Sequence, residues 1–181
     1  NTFRAPFAHH FTMEPYGAIG IPEDGGVRVM SPVQHPFVLR RVLAAMLGLP
    51  PEKVVVQSTP IGGGFGGKGY PKLEPAAAAC SLKLGRPLKI CLDAEESFLT
   101  GQREAADIRI RTGFTRSGDL VFQDIDADYL VGAYTDISPV VVAKTTLYAF
   151  GPYRTPHGRS RGRGLFTTTP PTTAFRGFGA S

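Results

Sequence analysis

Six glycines fall within eight positions at Gly62-Gly63-Gly64-Phe65-Gly66-Gly67-Lys68-Gly69. Glycine loses more backbone freedom on folding than any other residue, so such a run inside an ordered domain needs a reason. The usual reason is a ligand that main-chain N–H groups must approach closely. A flexible linker is rich in Gly and Ser and seldom sets a large aromatic such as Phe65 among its glycines. Two common motifs match on paper. Gly62, Gly64 and Gly67 satisfy G-x-G-x-x-G, and Gly62–Lys68 satisfies G-x-x-x-x-G-K. A P-loop needs Ser or Thr after its lysine to hold magnesium, and here Gly69 follows. A dinucleotide-binding loop leaves its strand directly and enters a helix directly. Here Ser58-Thr59-Pro60 intervene before the glycines, and Pro71 follows them. A phosphate- or nucleotide-binding module built on Gly62–Lys68 is the alternative reading of this loop.

The composition surrounding the loop is that of a folded domain, with 42% hydrophobic and 19% charged residues in 181. That length suffices for one well-buried core or two small lobes, and lobes at 23–103 and 104–181 are the candidate division. Twenty-two glycines and sixteen prolines imply turns and irregular loops rather than long helices. The net charge of +5 suits an anionic ligand. Arg159, Arg161 and Arg163 alternate with glycines in a way that suggests RNA binding. The run leads into Leu165-Phe166-Thr167, however, and reads better as a strand with solvated arginines, so no nucleic-acid partner is expected. Cys80 and Cys91 are too few for a zinc or iron–sulfur site, and a reducing, cytoplasmic setting is the default. No stretch approaches the roughly 20 apolar residues of a membrane span, and Asn1–Phe11 lacks the features of a signal peptide. The chain reads as a segment of a longer protein.

Periodicity places the elements. Phe7–Gly20 reads as extended, with the adjacent His9 and His10 facing opposite sides and unable to share a metal. Glu23–Gly26 is a turn and Val27–Met30 a short strand. Phe37, Leu39, Val42, Leu43, Met46 and Leu47 recur at helical spacing, with Pro36 at the start and Gly48 past the end. A strand at Lys53–Gln57, a helix at Lys72–Leu84 carrying four consecutive alanines, and a strand at Leu88–Leu92 form a candidate βαβ unit. The acids Asp93, Glu95 and Glu96 read as the charged cap of a short helix rather than a catalytic pair. Ala105–Phe114 and Leu120–Leu130 form a long antiparallel hairpin. Ser138–Phe150 is a further helix and Arg159–Thr167 a further strand. The predicted class is α+β (mixed α/β): one mixed sheet, a βαβ unit, the long hairpin and two to three helices. An irregular connection then delivers a second glycine–aromatic loop, Ala174-Phe175-Arg176-Gly177-Phe178-Gly179.

The two loops together, with Leu92-Asp93-Ala94-Glu95-Glu96-Ser97-Phe98-Leu99 between them, resemble the molybdenum hydroxylases, the xanthine dehydrogenase and aldehyde oxidase family. The likeness covers nearly the whole chain. It identifies 1–181 as a single partial domain, the first half of a molybdopterin-binding subunit or domain. The resemblance implies hydroxylation of an N-heterocycle or an aldehyde with oxygen taken from water. It implies a molybdopterin cofactor in the form of a pterin dinucleotide, and [2Fe-2S] and FAD groups on partner domains or subunits. It implies that Gln34 hydrogen-bonds an oxo ligand and that Gly64, Phe65 and Gly66 bring backbone N–H groups to the metal's ligands. Arg176 meets the cofactor, and Phe178 packs on the substrate. Preorganised donors suit negative ligands, and glycine lets the backbone come close. The metal is held by the pterin, with no direct protein ligand expected. Purine-oxidising members carry a glutamate where Gly69 stands and an arginine where Lys144 stands, which turns the expectation away from xanthine. The family's general-base glutamate lies downstream of this chain, so no catalytic residue is assigned in it, and the isolated 181 residues are expected to be inactive. The two loops are expected to converge on one site.

Overall fold

A computed structural model describes residues 1–179. Its strands are β1 (Thr2–Ala5), β2 (Gly17–Glu23), β3 (Gly26–Ser31), β4 (Val54–Ser58), β5 (Leu88–Cys91), β6 (Ala105–Phe114), β7 (Leu120–Gly132) and β8 (His157–Phe166). Its α-helices are α1 (Pro36–Leu47), α2 (Glu74–Leu84), α3 (Ala94–Phe98) and α4 (Ser138–Tyr148). The chain divides into two units, His10–Thr100 and Asn1–His9 with Gly101–Ser181.

In the His10–Thr100 unit the Asp24-Gly25 turn folds β2 back on β3, and four strands pair in the order β4-β3-β2-β5. β3 and β4 are parallel, so α1 is the crossover of the βαβ unit. The sequence predicted that unit one element later, between β4 and β5. Those strands lie at opposite edges of the sheet, because α2 carries the chain past β3 and β2 before β5 pairs antiparallel with β2. α1 keeps its expected bounds. Pro36 occupies its first turn, and Gly48 at φ 65° returns its N–H to the Ala44 carbonyl. Leu39, Leu43 and Ala44 turn into a core with Val27, Val29, Val33, Val54 and Ala78. The alanines of α2 let it lie close on β2. Ala77 and Ala78 are fully buried, and a Cβ on Gly20 would run into the Ala77 carbonyl. Asp93 and Glu96 close a reciprocal capping box on α3, the structural use expected of that acidic run.

The second unit holds a separate sheet, ordered β1-β6-β7-β8, where the sequence predicted one sheet in all. The β6–β7 hairpin is as expected, running from Ala105↔Leu130 to Phe114↔Leu120. β1, too short to show a period, adds to β6 antiparallel. β8 lies parallel to β7 after the α4 crossover. The Arg–Gly alternation now has a physical reason. Period two sends Gly158, Gly162 and Gly164 to one face, where a Cβ on Gly162 would collide with the Thr146 hydroxyl of α4. Arg159, Arg161 and Arg163 go to the other face, opposite Asp124, Asp126 and Asp128. Arg159 donates from Nε to Asp124 at 2.8 Å and Arg163 from Nε to Asp128 at 2.6 Å, while Arg111 of β6 also holds Asp124. These arginines are paired rather than merely solvated. With two guanidinium groups donating to it, the Asp124 carboxyl is lowered to about 2.

Candidate functional site

The first glycine loop is shaped by two side chains from outside it and one of its own. Gln34 stands between β3 and α1. Its N–H donates to the Lys68 carbonyl at 2.9 Å. Its Oε1 accepts from the N–H groups of Gly66 at 3.1 Å and Lys68 at 3.2 Å. Two N–H donors require the oxygen at that place, so the Gln34 NH₂ group is left pointing elsewhere, with no partner among the described residues. Glu14 holds the other end. Its Oε2 accepts from Gly62 N–H at 2.8 Å and from Lys68 Nζ at 2.7 Å, and its own N–H donates to the Gly62 carbonyl at 3.1 Å. Burial pushes the Glu14 carboxyl up, but the hydrogen bonds from Lys68 and Gly62 outweigh it and hold the group below its usual range.

Lys68 is only 4% exposed, and its Nζ donates to both the carboxylate and the carbonyl of Glu14. A P-loop lysine would extend toward phosphate, and this one is committed to protein. That argues against the nucleotide-binding alternative. Within the loop Gly67 N–H donates to the Gly64 carbonyl at 2.7 Å and Gly69 N–H to the Gly66 carbonyl at 3.1 Å. The N–H groups of Gly63, Gly64 and Phe65 have no partner among the described residues. Phe65 itself is 41% exposed and sits at φ 50°, a conformation that costs a non-glycine residue of order 1 kcal/mol and that gathers at ligand clamps. Close packing explains three of the glycines: a Cβ on Gly62 would stand 2.5 Å from the Glu14 Cβ. A Cβ on Gly64 would stand 2.7 Å from Gln34 Cδ, and one on Gly67 2.7 Å from the Tyr16 hydroxyl oxygen.

The second loop is reached through Thr172 and Thr173, both essentially unexposed. Thr173 N–H donates to the Gln102 carbonyl at 2.8 Å, and Thr172 N–H to the Val131 carbonyl at 3.2 Å. The loop then turns, with Phe178 N–H donating to the Phe175 carbonyl at 2.9 Å and Gly177 at φ 79°. Lys144 of α4 places its Nζ 4.5 Å from the centre of the Phe178 ring, a cation–π contact. An open cavity of about 600 Å³ lies against this loop, lined by Glu104, Tyr129, Thr145, Phe175, Arg176 and Phe178 among others.

Gln34, Gly64, Phe65, Gly66 and Gly69 thus gather in one unit and Lys144, Arg176 and Phe178 in the other. Gly66 spends its N–H on Gln34, so its part in the loop is to fix that side chain. Sequence reasoning missed Glu14 and Glu104. Glu14 lies 48 residues before Gly62 and carries no local signal. Glu104 had one. It shares parity with Ala106, Ile108 and Ile110, the inward positions of β6, and so was due to face inward. Among the described residues no group of three or more His, Cys, Asp or Glu is placed to hold a metal ion, and no helix is long and apolar enough to cross a membrane.

The model of the molybdopterin cofactor-binding domain matches residues 1–181. The chain is 38% identical over 182 residues to a probable xanthine dehydrogenase subunit of Bacillus subtilis, covering 99% of this chain and 24% of that protein. It is 37% identical to xanthine dehydrogenase 1 of Arabidopsis thaliana, over 94% of this chain and 13% of that protein. Among solved structures, the aldehyde oxidoreductase of Desulfovibrio gigas superposes with a TM-score of 0.94 at 24% identity, over 99% of this chain and 20% of that one. The chain therefore spans a quarter or less of the length of these relatives.

Proposed function

Because the chain belongs to the molybdopterin cofactor-binding domain family, that of the molybdenum hydroxylases, we propose that it forms the first part of the cofactor and substrate site of such an enzyme. The observation that carries this reading is the state of Gln34. Its carbonyl oxygen is consumed by Gly66 and Lys68, so only donors face away from the loop. The N–H groups of Gly64 and Phe65 add to that set. A donor-only surface on a rigid loop suits the electron-rich oxygen and sulfur ligands of a pterin-held molybdenum, which supplies the oxidising power and the water-derived oxygen. This chain's residues bind and orient: Gln34 and the loop amides at the first loop, Arg176 at the second. Phe178, held under Lys144, presents a flat apolar wall to the substrate.

The substrate class is an N-heterocycle or an aldehyde. Gly69 offers no side chain and Lys144 is already engaged with an aromatic ring, so the purine-binding pair is not reproduced. The general base comes from the remainder of the subunit. Electrons pass to [2Fe-2S] and FAD partners. The enzyme works in the cytoplasm, where the exposed Cys80 and Cys91 stay reduced.

The test is the complete enzyme, assayed with an aldehyde and an N-heterocycle panel in ¹⁸O-labelled water alongside its molybdenum and pterin content. Labelled product, and a loss of about 100-fold in kcat on Gln34→Ala with molybdenum retained, is the expected result. Absence of molybdenum together with Lys68-dependent ATP or NAD binding would overturn it in favour of the nucleotide reading.

A further inference from the structure

Glu104 is 4% exposed, and burial pushes its carboxyl above the usual range; its own backbone, Thr172, Ser138 and Arg103 only partly oppose this. Its Oε1 stands 3.1 Å from the Thr172 hydroxyl, while its Oε2 is buried without a partner. The Thr172 hydroxyl also lies 3.1 Å from the Val131 carbonyl and 2.8 Å from the Ser138 hydroxyl, itself 3.0 Å from the Thr172 carbonyl. One hydroxyl carries one proton, so Thr172 donates to Glu104 or to Val131, never to both. With Glu104 ionised, Thr172 donates to Oε1 and Val131 is left with the Thr172 N–H. With Glu104 protonated on Oε1, the carboxyl donates to Thr172, whose own proton turns to Val131. Both arrangements use the same heavy-atom positions, but the ionised one leaves a buried charge with an orphaned oxygen.

We propose that Glu104 is a positioning residue for the second aromatic loop: through Thr172 it sets where Phe175, Arg176 and Phe178 stand at the cavity wall, and its proton decides how firmly. The geometry is short-range. Thr172 and Thr173 lead directly into the loop and are tied to Val131 and Gln102, and Glu104 lies two residues after Gln102 on the same strand approach. The charged and titratable groups lining the same cavity are Arg103 beside it, Arg176 of the loop, and Tyr129 and Tyr148, while Lys144 of α4 lies over the Phe178 ring. The neutral form holds the loop tightly. Ionisation loosens it, so substrate binding weakens as pH rises while the chemical step changes less.

This inference rests on Phe178 being the substrate wall, and its test separates the two. In the complete enzyme, hydrogen–deuterium exchange of residues 172–179 and KM are measured from about pH 5 to 8 for wild type, Glu104→Gln and Glu104→Ala. Glutamine keeps both hydrogen-bonding roles without titrating. The wild-type loop is expected to exchange progressively faster than the E104Q loop as pH rises, and its KM to rise in parallel, while E104Q shows a flat KM. E104A is expected to exchange about 10-fold faster throughout. An E104Q enzyme that keeps the wild-type pH dependence, or an E104A enzyme with unaltered exchange in 172–179, overturns the proposal. If the exchange changes appear without any hydroxylase activity, Glu104 positions the loop and the reading of Phe178 fails alone.

Discussion

The two glycine–aromatic loops look alike in sequence but are held by different chemistry. The Gly62–Gly69 loop is pinned by a buried ammonium, a partly exposed carboxylate and a side-chain amide. Its carboxylate, Glu14, is held below the usual range. The Ala174–Gly179 loop is approached through neutral hydroxyls and a buried carboxyl, Glu104, pushed above it. A charged clamp makes a loop rigid across the neutral range. A clamp of hydroxyls around a carboxyl that resists ionising makes one that responds to pH. The loop proposed to orient a permanent cofactor is therefore the stiffer, and the one proposed to meet a transient substrate is the more yielding.

The sharpest way to break this contrast is to overfill the stiff loop. Gly67→Ala drives a Cβ against the Tyr16 hydroxyl and the His10 ring, and is expected to cost about 3 kcal/mol by chemical denaturation. A neutral result would show the loop to be soft. Lys68→Met removes the charged hydrogen bonds to Glu14 and is expected to cost about 2 kcal/mol, since Glu14 is exposed enough to rehydrate. A smaller effect, separated by sign rather than size, is the pH dependence of melting. Glu14's stabilisation is present above the ordinary carboxylate value and is lost as pH falls through its lowered one, a loss that Glu14→Gln abolishes. Glu104 runs the other way. Its contribution is complete below the ordinary value and is lost as pH rises through its raised one, so wild type minus E104Q declines with pH. Parallel slopes at the two sites would erase the comparison. Smallest of all is Arg159→Gln on the exposed sheet face, a slight loss of thermal stability that high salt removes.

Much of this was readable from the chain. The bounds of α1 follow from six apolar residues at helical spacing between Pro36 and Gly48, and the β6–β7 hairpin from alternation along its strands, because both signals are local. Which strands become neighbours is not local. The choice of β3 rather than β5 as the partner of β4, and the splitting of the strands into two sheets, depend on where helices find room, as α2 does over Gly20. The site shows the same divide. The glycines and Gln34 announce themselves, but the acids that hold the loops act across 48 and 68 residues of chain. Only the parity of Glu104 gave a hint.

The alternation in β8 has one more consequence. A slide of this strand by a single residue would wedge guanidinium groups beneath α4 and strand three aspartates opposite bare backbone. The strand is thus keyed, tooth by tooth, and works as a fixed datum. The short run from Phe166 to Thr172 is measured off from that datum, so the point at which Thr172 meets Glu104 is referred to a ruler lying upstream of it.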